Sequence, residues 1–351
     1  ATTSQLTMNQ LNCGGQTFAG AVNGNVRVLI QSSTAKNVDT VAFSWTNSYP
    51  GGTIISNGHL RITYDAGLGA IPAAYDAQNI ILRDGGVLQN NNSSVVLNQN
   101  RGIYLANGIG WIYTGWNLPI SVLGAISGPG SLYKTDGSSG LYLYTNNTYG
   151  GSTYIYQGVM CLSNSYGGAC LASTNVVFDN NLSPDLYTRV TNQFAPGTVV
   201  SFITDAGDHG RFELIGTTQT VAGIRTVGYA TIRGVIQNYE AGPASAGTCK
   251  LILDGSGIYS YNGFLRVGSG GNLSLQKTGT GTQTLTGAQI TYTGATTIDA
   301  GILSLQDTSG FNSPTAIGAT FDLRRTVAGF ANRISIGQSF TGAGSIIVNN
   351  T

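Results

Sequence analysis

The residues whose types and spacing come nearest to chemistry lie in Asp205-Ala206-Gly207-Asp208-His209-Gly210-Arg211. Two carboxylates, an imidazole and a guanidinium are the parts a polysaccharide lyase or hydrolase would use, with clustered carboxylates, sometimes a calcium ion, or a basic side chain beside them. The pattern around them argues for a plainer role, because Gly and Asp at this density form an exposed turn between two strands. With 15 Asp plus Glu spread over 351 residues, a second carboxylate cluster on a neighbouring segment is hard to assemble. No catalytic residue is therefore assigned. No metal-ligand spacing is present and no glycine run ends in Gly-Lys-Ser/Thr, so no metal or other cofactor is expected. His59, between Gly58 and Leu60, alternates outward and reads as a solvated side chain.

Two other residue types carry chemical expectations. Cys161 and Cys170 flank a Ser/Asn/Gly segment and are candidates for a disulfide. Cys13 and Cys249 lie too far apart in a coiled rod to bridge within one chain, so each is either a buried free thiol or a partner to a cysteine of an end-stacked subunit. Tyr142, Tyr144, Tyr154 and Tyr156 alternate with Leu141, Leu143, Thr153 and Ile155. With the aliphatic side chains inward, the four tyrosines face out on adjacent strands, where phenol rings can stack on sugars or on another subunit, or simply form a ladder on the exterior.

The elements that must hold these residues are set by a short segment that occurs three times without a gap. It reads N-S-Y-P-G-G-T-I-I-S-N-G at 47–58, N-T-Y-G-G-S-T-Y-I-Y-Q-G at 147–158 and I-T-Y-T-G-A-T-T-I-D-A-G at 290–301. Tyr49, Tyr149 and Tyr292 correspond, as do Thr53, Thr153 and Thr296, and the closing Gly58, Gly158 and Gly301. Two apolar positions follow each copy (Leu60 and Ile62, Met160 and Leu162, Leu303 and Leu305), so the signature copies span 47–62, 147–162 and 290–305. Thr-x-Ile and then Gly-x-Leu-x-Leu are two period-2 segments broken by a turn glycine. A unit this small cannot bury its apolar face alone, whereas stacking unit on unit does, which predicts a solenoid. At ~20–25 residues per coil and ~4.8 Å between strands, the chain would make roughly 15 coils and a rod of ~70 Å. The expected organisation is an N-terminal arm or cap with first strands over 1–45, then one elongated solenoid over 46–351.

The ordered succession L-G-A-I-P-A-A-Y-D-A-Q-N-I-I-L-R-D-G-G-V-L-Q (68–89), N-R-G-I-Y-L (100–105), I-S-G-P-G-S-L-Y-K-T (126–135) and N-T-Y-G-G-S-T (147–153) resembles the autotransporter-associated β-strand repeat family of bacterial secreted proteins. The likeness resumes at 214–224, 273–281 and 338–346. It implies an all-β, right-handed parallel β-helix exported to the cell exterior as a stalk, passenger or surface fibre rather than a catalyst. The segment between Lys134 or Lys277 and the repeat tyrosine is one residue longer than the family pattern, which implies a local bulge.

Composition agrees with export. Charged residues are 9% of the chain and the net charge is +1, which excludes a basic footprint for nucleic acid. No apolar run reaches the ~18 residues needed for a membrane span. The chain opens at Ala1 without an initiator Met, as expected of a product from which a secretion signal has been removed. The last segment, with Ile346, Ile347 and Val348, reads as a strand with nothing to blunt its edge, a template for another copy. The expected function is thus a non-enzymatic, self-associating extracellular structural protein of the bacterial surface. The alternatives are a surface adhesin that binds matrix or cell-surface polysaccharide through its tyrosines, and a polysaccharide-degrading enzyme.

Overall fold

The computed structural model describes residues 3–10, 15–32, 40–203, 209–228, 234–239, 247–269, 271–286, 289–308, 310–324 and 339–348. Its regular elements are β-strands and one short 3-10 helix at Asp65–Leu68. Strands from successive turns pair in parallel and stack as a β-solenoid of about 12 turns. The chain divides into two compact units, Ala1–Ser173 and Thr174–Thr351.

In the first unit the strands form three rows. One runs Ser4–Gln10, Val26–Ser32, Thr53–Ser56, Asp76–Arg83, Arg101–Leu105 and Ile126–Ser127. A second runs Gly15–Phe18, Thr40–Phe43, His59–Ile62, Val87–Asn90, Ile109–Tyr113, Ser131–Thr135 and the first half of Thr153–Leu162. The third runs Val95–Leu97, Ile120–Val122, Gly140–Leu143 and the second half of Thr153–Leu162. The expected arm is part of this stack, because Ser4–Gln10 pairs residue for residue with Val26–Ser32. Down the first row Val28, Thr53, Ile80, Ile103 and Ile126 lie one above another, all buried. The steps of that column, Val28 to Thr53, Thr53 to Ile80, Ile80 to Ile103 and Ile103 to Ile126, use 25, 27, 23 and 23 residues.

In the second unit Thr218–Val221, Cys249–Leu253, Leu273–Lys277, Thr296–Ile298, Thr315–Ile317 and Phe340–Thr341 form one row, and Ile258–Tyr261, Thr282–Thr286, Ile302–Gln306, Thr320–Asp322 and Ser345–Ile347 another. The strand Asn175–Thr188 starts two further stacks, through Val199–Phe202 and through Gly210–Glu213.

The repeated segment is a corner between rows. Its tyrosine turns inward and is fully buried in all three copies, with the hydroxyl 2.7, 2.5 and 2.7 Å from the hydroxyl of Thr53, Thr153 and Thr296, four residues on. A buried phenol needs such a partner, and burial pushes Tyr49 up to about 12. Two residues before the tyrosine, Asn47 and Asn147 clamp adjacent turns: each Oδ1 accepts a backbone N–H from the turn below (Val22, Ile126) and each Nδ2 donates to a carbonyl of the turn above (Gly67, Cys170). The third copy has Ile290 there, buried and bridged to Leu265. The corner closes on Gly158 and Gly301, at φ of 69° and 66°, and a Cβ on either would come within 2.5 Å of the carbonyl of Gly137 or 2.3 Å of that of Gly281.

Three buried cations serve the same fold. Lys134 occupies an interior column between Ile112 and Ile155, and Lys277 pairs with Ile298, the equivalent repeat residue. Lys134 Nζ donates to the carbonyls of Gln157 at 2.9 Å and Thr135 at 3.2 Å, and Lys277 Nζ to that of Gly279. Arg101 is fully buried beside Asp65 at 2.9 Å and donates to the carbonyls of Leu68, Gly69 and Ala70, so it holds the loop that follows the 3-10 helix.

Candidate functional site

Strand alternation in the second row places one set of side chains inside and the other on the outer face. Leu60, Leu88, Ile112, Lys134 and Ile155 stack inward. The same registers align two outward columns, the first made of His59, Val87, Trp111, Tyr133 and Tyr154. Beside it run Arg61, Gln89, Tyr113 and Thr135, with Tyr156 two places beyond Tyr154 on the next strand. This face is polar toward His59 and Arg61 and aromatic toward Tyr154 and Tyr156.

The aromatic end is a continuous stack. Trp111 and Tyr133 have ring centroids 4.0 Å apart, Tyr133 and Tyr154 lie stacked at 5.4 Å, and Tyr156 tilts against Tyr133 at 5.9 Å. Parallel pairing without a register shift puts like positions above one another at each turn, so aromatic residues at one strand position must form a ladder. Tyr113 joins the two ends, edge-on to Trp111 at 6.1 Å and to His59 at 5.3 Å.

The four tyrosines expected to share one patch are divided between two rows. Tyr154 and Tyr156 belong to the aromatic ladder, whereas Tyr142, on Gly140–Leu143, and Tyr144, just after it, stack on each other at 6.5 Å. That strand pairs with the later half of Thr153–Leu162, beyond the bend at Gly158. Trp111 and Tyr133 complete the ladder and were not among the expected residues. Period-2 alternation in I-G-W-I-Y and S-L-Y-K-T would have shown that they face outward, though not which turn lies beside which.

The remaining expectations resolve individually. Cys161 and Cys170 are both buried free thiols, so the expected disulfide is not formed. Cys161 faces outward opposite Tyr142 with its sulfur 3.6 Å from the Ser163 hydroxyl, whereas the Cys170 thiol points to the carbonyl of Leu143 at 3.5 Å, and burial pushes the Cys170 thiol up to about 12. Cys249 is likewise free and fully buried, and Cys13 lies outside the described residues. Ile346, Ile347 and Val348 are exposed by 46%, 36% and 60%. Of the carboxylate cluster, residues 204–208 lie outside the described residues. Arg211 is committed to a two-point pair with Asp185, at 2.7 and 3.2 Å. His59 does point outward, but it is 4% exposed rather than solvated, because Tyr113 packs on it and Gln89 binds its ring. Among the described residues no group of three or more His, Cys, Asp or Glu is placed to hold a metal ion, and no helix is long and apolar enough to cross a membrane.

Comparison with known proteins identifies the repeat. Residues 275–305, which hold the third corner and the buried Lys277, match the passenger-associated-transport-repeat family. This segment is an autotransporter-associated repeat. A stretch of 169 residues, 48% of the chain, is 28% identical to the adhesin BmaC autotransporter of Brucella suis biovar 1 (strain 1330). That 169-residue stretch spans only 4% of the adhesin's own length. No solved structure matches the chain.

Proposed function

We propose that this chain is a non-enzymatic segment of an adhesin-type passenger, secreted and displayed on the bacterial surface, with the outer face from His59 to Tyr156 as its contact surface. The observation that carries the reading is the ladder of Trp111, Tyr133, Tyr154 and Tyr156 along one face of the second row of strands. Rings held in register on a rigid sheet lose little entropy on binding and present apolar area with polar tips, the composition enriched at recognition surfaces. The similarity to part of an adhesin autotransporter supports the same reading. Beads coated with the chain are expected to adhere to host-cell monolayers or matrix-coated surfaces. A Tyr154→Ala/Tyr156→Ala variant should lose most of that adherence with an unchanged circular dichroism spectrum, while Tyr142→Ala/Tyr144→Ala on the other row should keep it. Equal adherence of both variants would overturn the assignment of the face.

A second reading, self-association end to end into a filament, is favoured by one observation. Ser345–Ile347 stacks on Thr320–Asp322 through one edge and carries exposed Ile346 and Ile347, with Val348 beyond. Such an edge is a template for another strand, supplied by a second copy or by a following turn of a longer chain. Electron microscopy of the purified chain separates the two: unbranched filaments support self-association, and isolated particles at high concentration reject it.

A further inference from the structure

The polar end of the outer face is hollow. One cavity of about 250 Å³ is lined by His59, Arg61, Gln89, Tyr113 and Asp136 among others. An adjoining one of about 310 Å³ shares Arg61, Gln89 and Asp136 and reaches Asn91 and Trp116. Both are near the lower end of the ~300–1,000 Å³ usual for ligand pockets. Trp116, at 72% exposure, is a large apolar side chain left in solvent at the rim.

The hydrogen bonds of this hollow fix its donors and acceptors. Gln89 Nε2 donates to Asp136 Oδ2 at 2.7 Å, so its Oε1 is the atom that accepts from Arg61 Nε at 2.8 Å. That same Oε1 lies 2.7 Å from His59 Nε2 and can only accept, so His59 carries its proton on Nε2. Burial holds the imidazole neutral, with its pKa lowered to about 4. Its Nδ1 is therefore a bare acceptor, and it has no hydrogen-bond partner among the described residues. Asp136 contributes a second acceptor oxygen, and the outer nitrogens of Arg61 contribute donors. The charges of Arg61 and Asp136 cancel across the Gln89 bridge.

We propose that this hollow is a binding subsite for a neutral saccharide. A sugar supplies vicinal hydroxyls that both donate and accept, which suits the Asp136 carboxylate as acceptor beside donors at Arg61 and Asn91. Its apolar C–H face stacks on an exposed indole such as Trp116. The balanced charge disfavours a phosphate or a polyuronide, for which uncompensated cations would be needed. The proposal rests on the adhesin reading for its biological setting, but the binding itself does not depend on it.

The test is isothermal titration calorimetry of the full chain with maltohexaose, cellohexaose, laminarihexaose and mannohexaose, and with oligogalacturonate as the charged comparator. We expect saturable binding of at least one neutral oligosaccharide, weakened about tenfold or more by Trp116→Ala and by Asp136→Asn. Neither change threatens the fold, because Trp116 is exposed and Asp136 sits at a φ of 64°, a conformation Asn adopts readily. Binding of oligogalacturonate alone, binding of no oligosaccharide, or binding insensitive to both variants would overturn the proposal. Tyr154→Ala/Tyr156→Ala should leave the titration unchanged, so loss of adherence with intact sugar binding separates a failure of the subsite from a failure of the adhesin face.

Discussion

The hydroxyl of Tyr149 lies 2.5 Å from the hydroxyl of Thr153, both fully buried at a corner where the chain passes from one row of strands to the next. Each would be an unpaired polar group without the other. Tyr149→Phe removes one hydroxyl and orphans the other, and should cost about 1–3 kcal/mol in urea unfolding. Tyr149→Phe combined with Thr153→Val removes both and should recover part of that loss, a coupling that a double-mutant cycle measures directly.

Lys134 predicts a pH dependence. Burial pulls its pKa from 10.5 down to about 7, against the opposing pull of Asp136. Between those limits the unfolded chain binds a proton that the folded chain does not, so this group makes stability rise with pH from about 7 toward 10.5, and below about 7, where both states are protonated, it adds no further pH dependence. Urea midpoints measured from pH 6 to 10 should show that rise for the native chain relative to Lys134→Met, whose uncharged side chain fits between Ile112 and Ile155. Parallel pH curves for the two proteins would refute it.

Gly158 and Gly150 belong to the same repeat copy and should respond differently to alanine. At Gly158 the positive φ and the Gly137 carbonyl 2.5 Å from the added Cβ should make Gly158→Ala destabilising by about 1–3 kcal/mol. Gly150 has open space where a Cβ would stand, so Gly150→Ala should fall within about 0.5 kcal/mol of the native chain.

The cysteines give a chemical test. Cys161, Cys170 and Cys249 are buried thiols, and burial pushes both Cys170 and Cys249 up to about 12. A protonated, enclosed sulfur is a poor nucleophile. Iodoacetamide should therefore leave all three unmodified in the native chain and label all three in urea without prior reduction, as read by peptide mass spectrometry. Labelling of Cys161 and Cys170 only after reduction would show that they are bridged.

Much of this architecture was legible in the residues themselves. Tyr149, Thr153 and Gly158 recur with their spacing kept in Tyr49, Thr53 and Gly58 and in Tyr292, Thr296 and Gly301, because a buried phenol, its hydroxyl partner and a turn are local requirements, the left-handed residue of that turn being Gly158 and Gly301 in two copies and Asn57 in the first. Period-2 alternation likewise told which side of each strand faces the interior. It did not tell that Lys134 is inside for the sake of the corner carbonyls, since a lysine in an apolar column breaks the pattern unless the acceptors of the next turn are known.

What only the tertiary structure decided is which residues meet from turn to turn. Tyr154 lies over Tyr133 and Trp111, and Tyr142 does not join them, because contacts between turns depend on loop lengths that vary, and on the bend at Gly158 that sends one strand into two rows. The hollow around His59, Gln89, Tyr113 and Asp136 gathers side chains from several successive turns, so no local pattern could announce it. A sequence specifies strand faces and corners through chemistry within a few residues of each position. The outer surface is made by register across turns, which the chain settles only when it is wound.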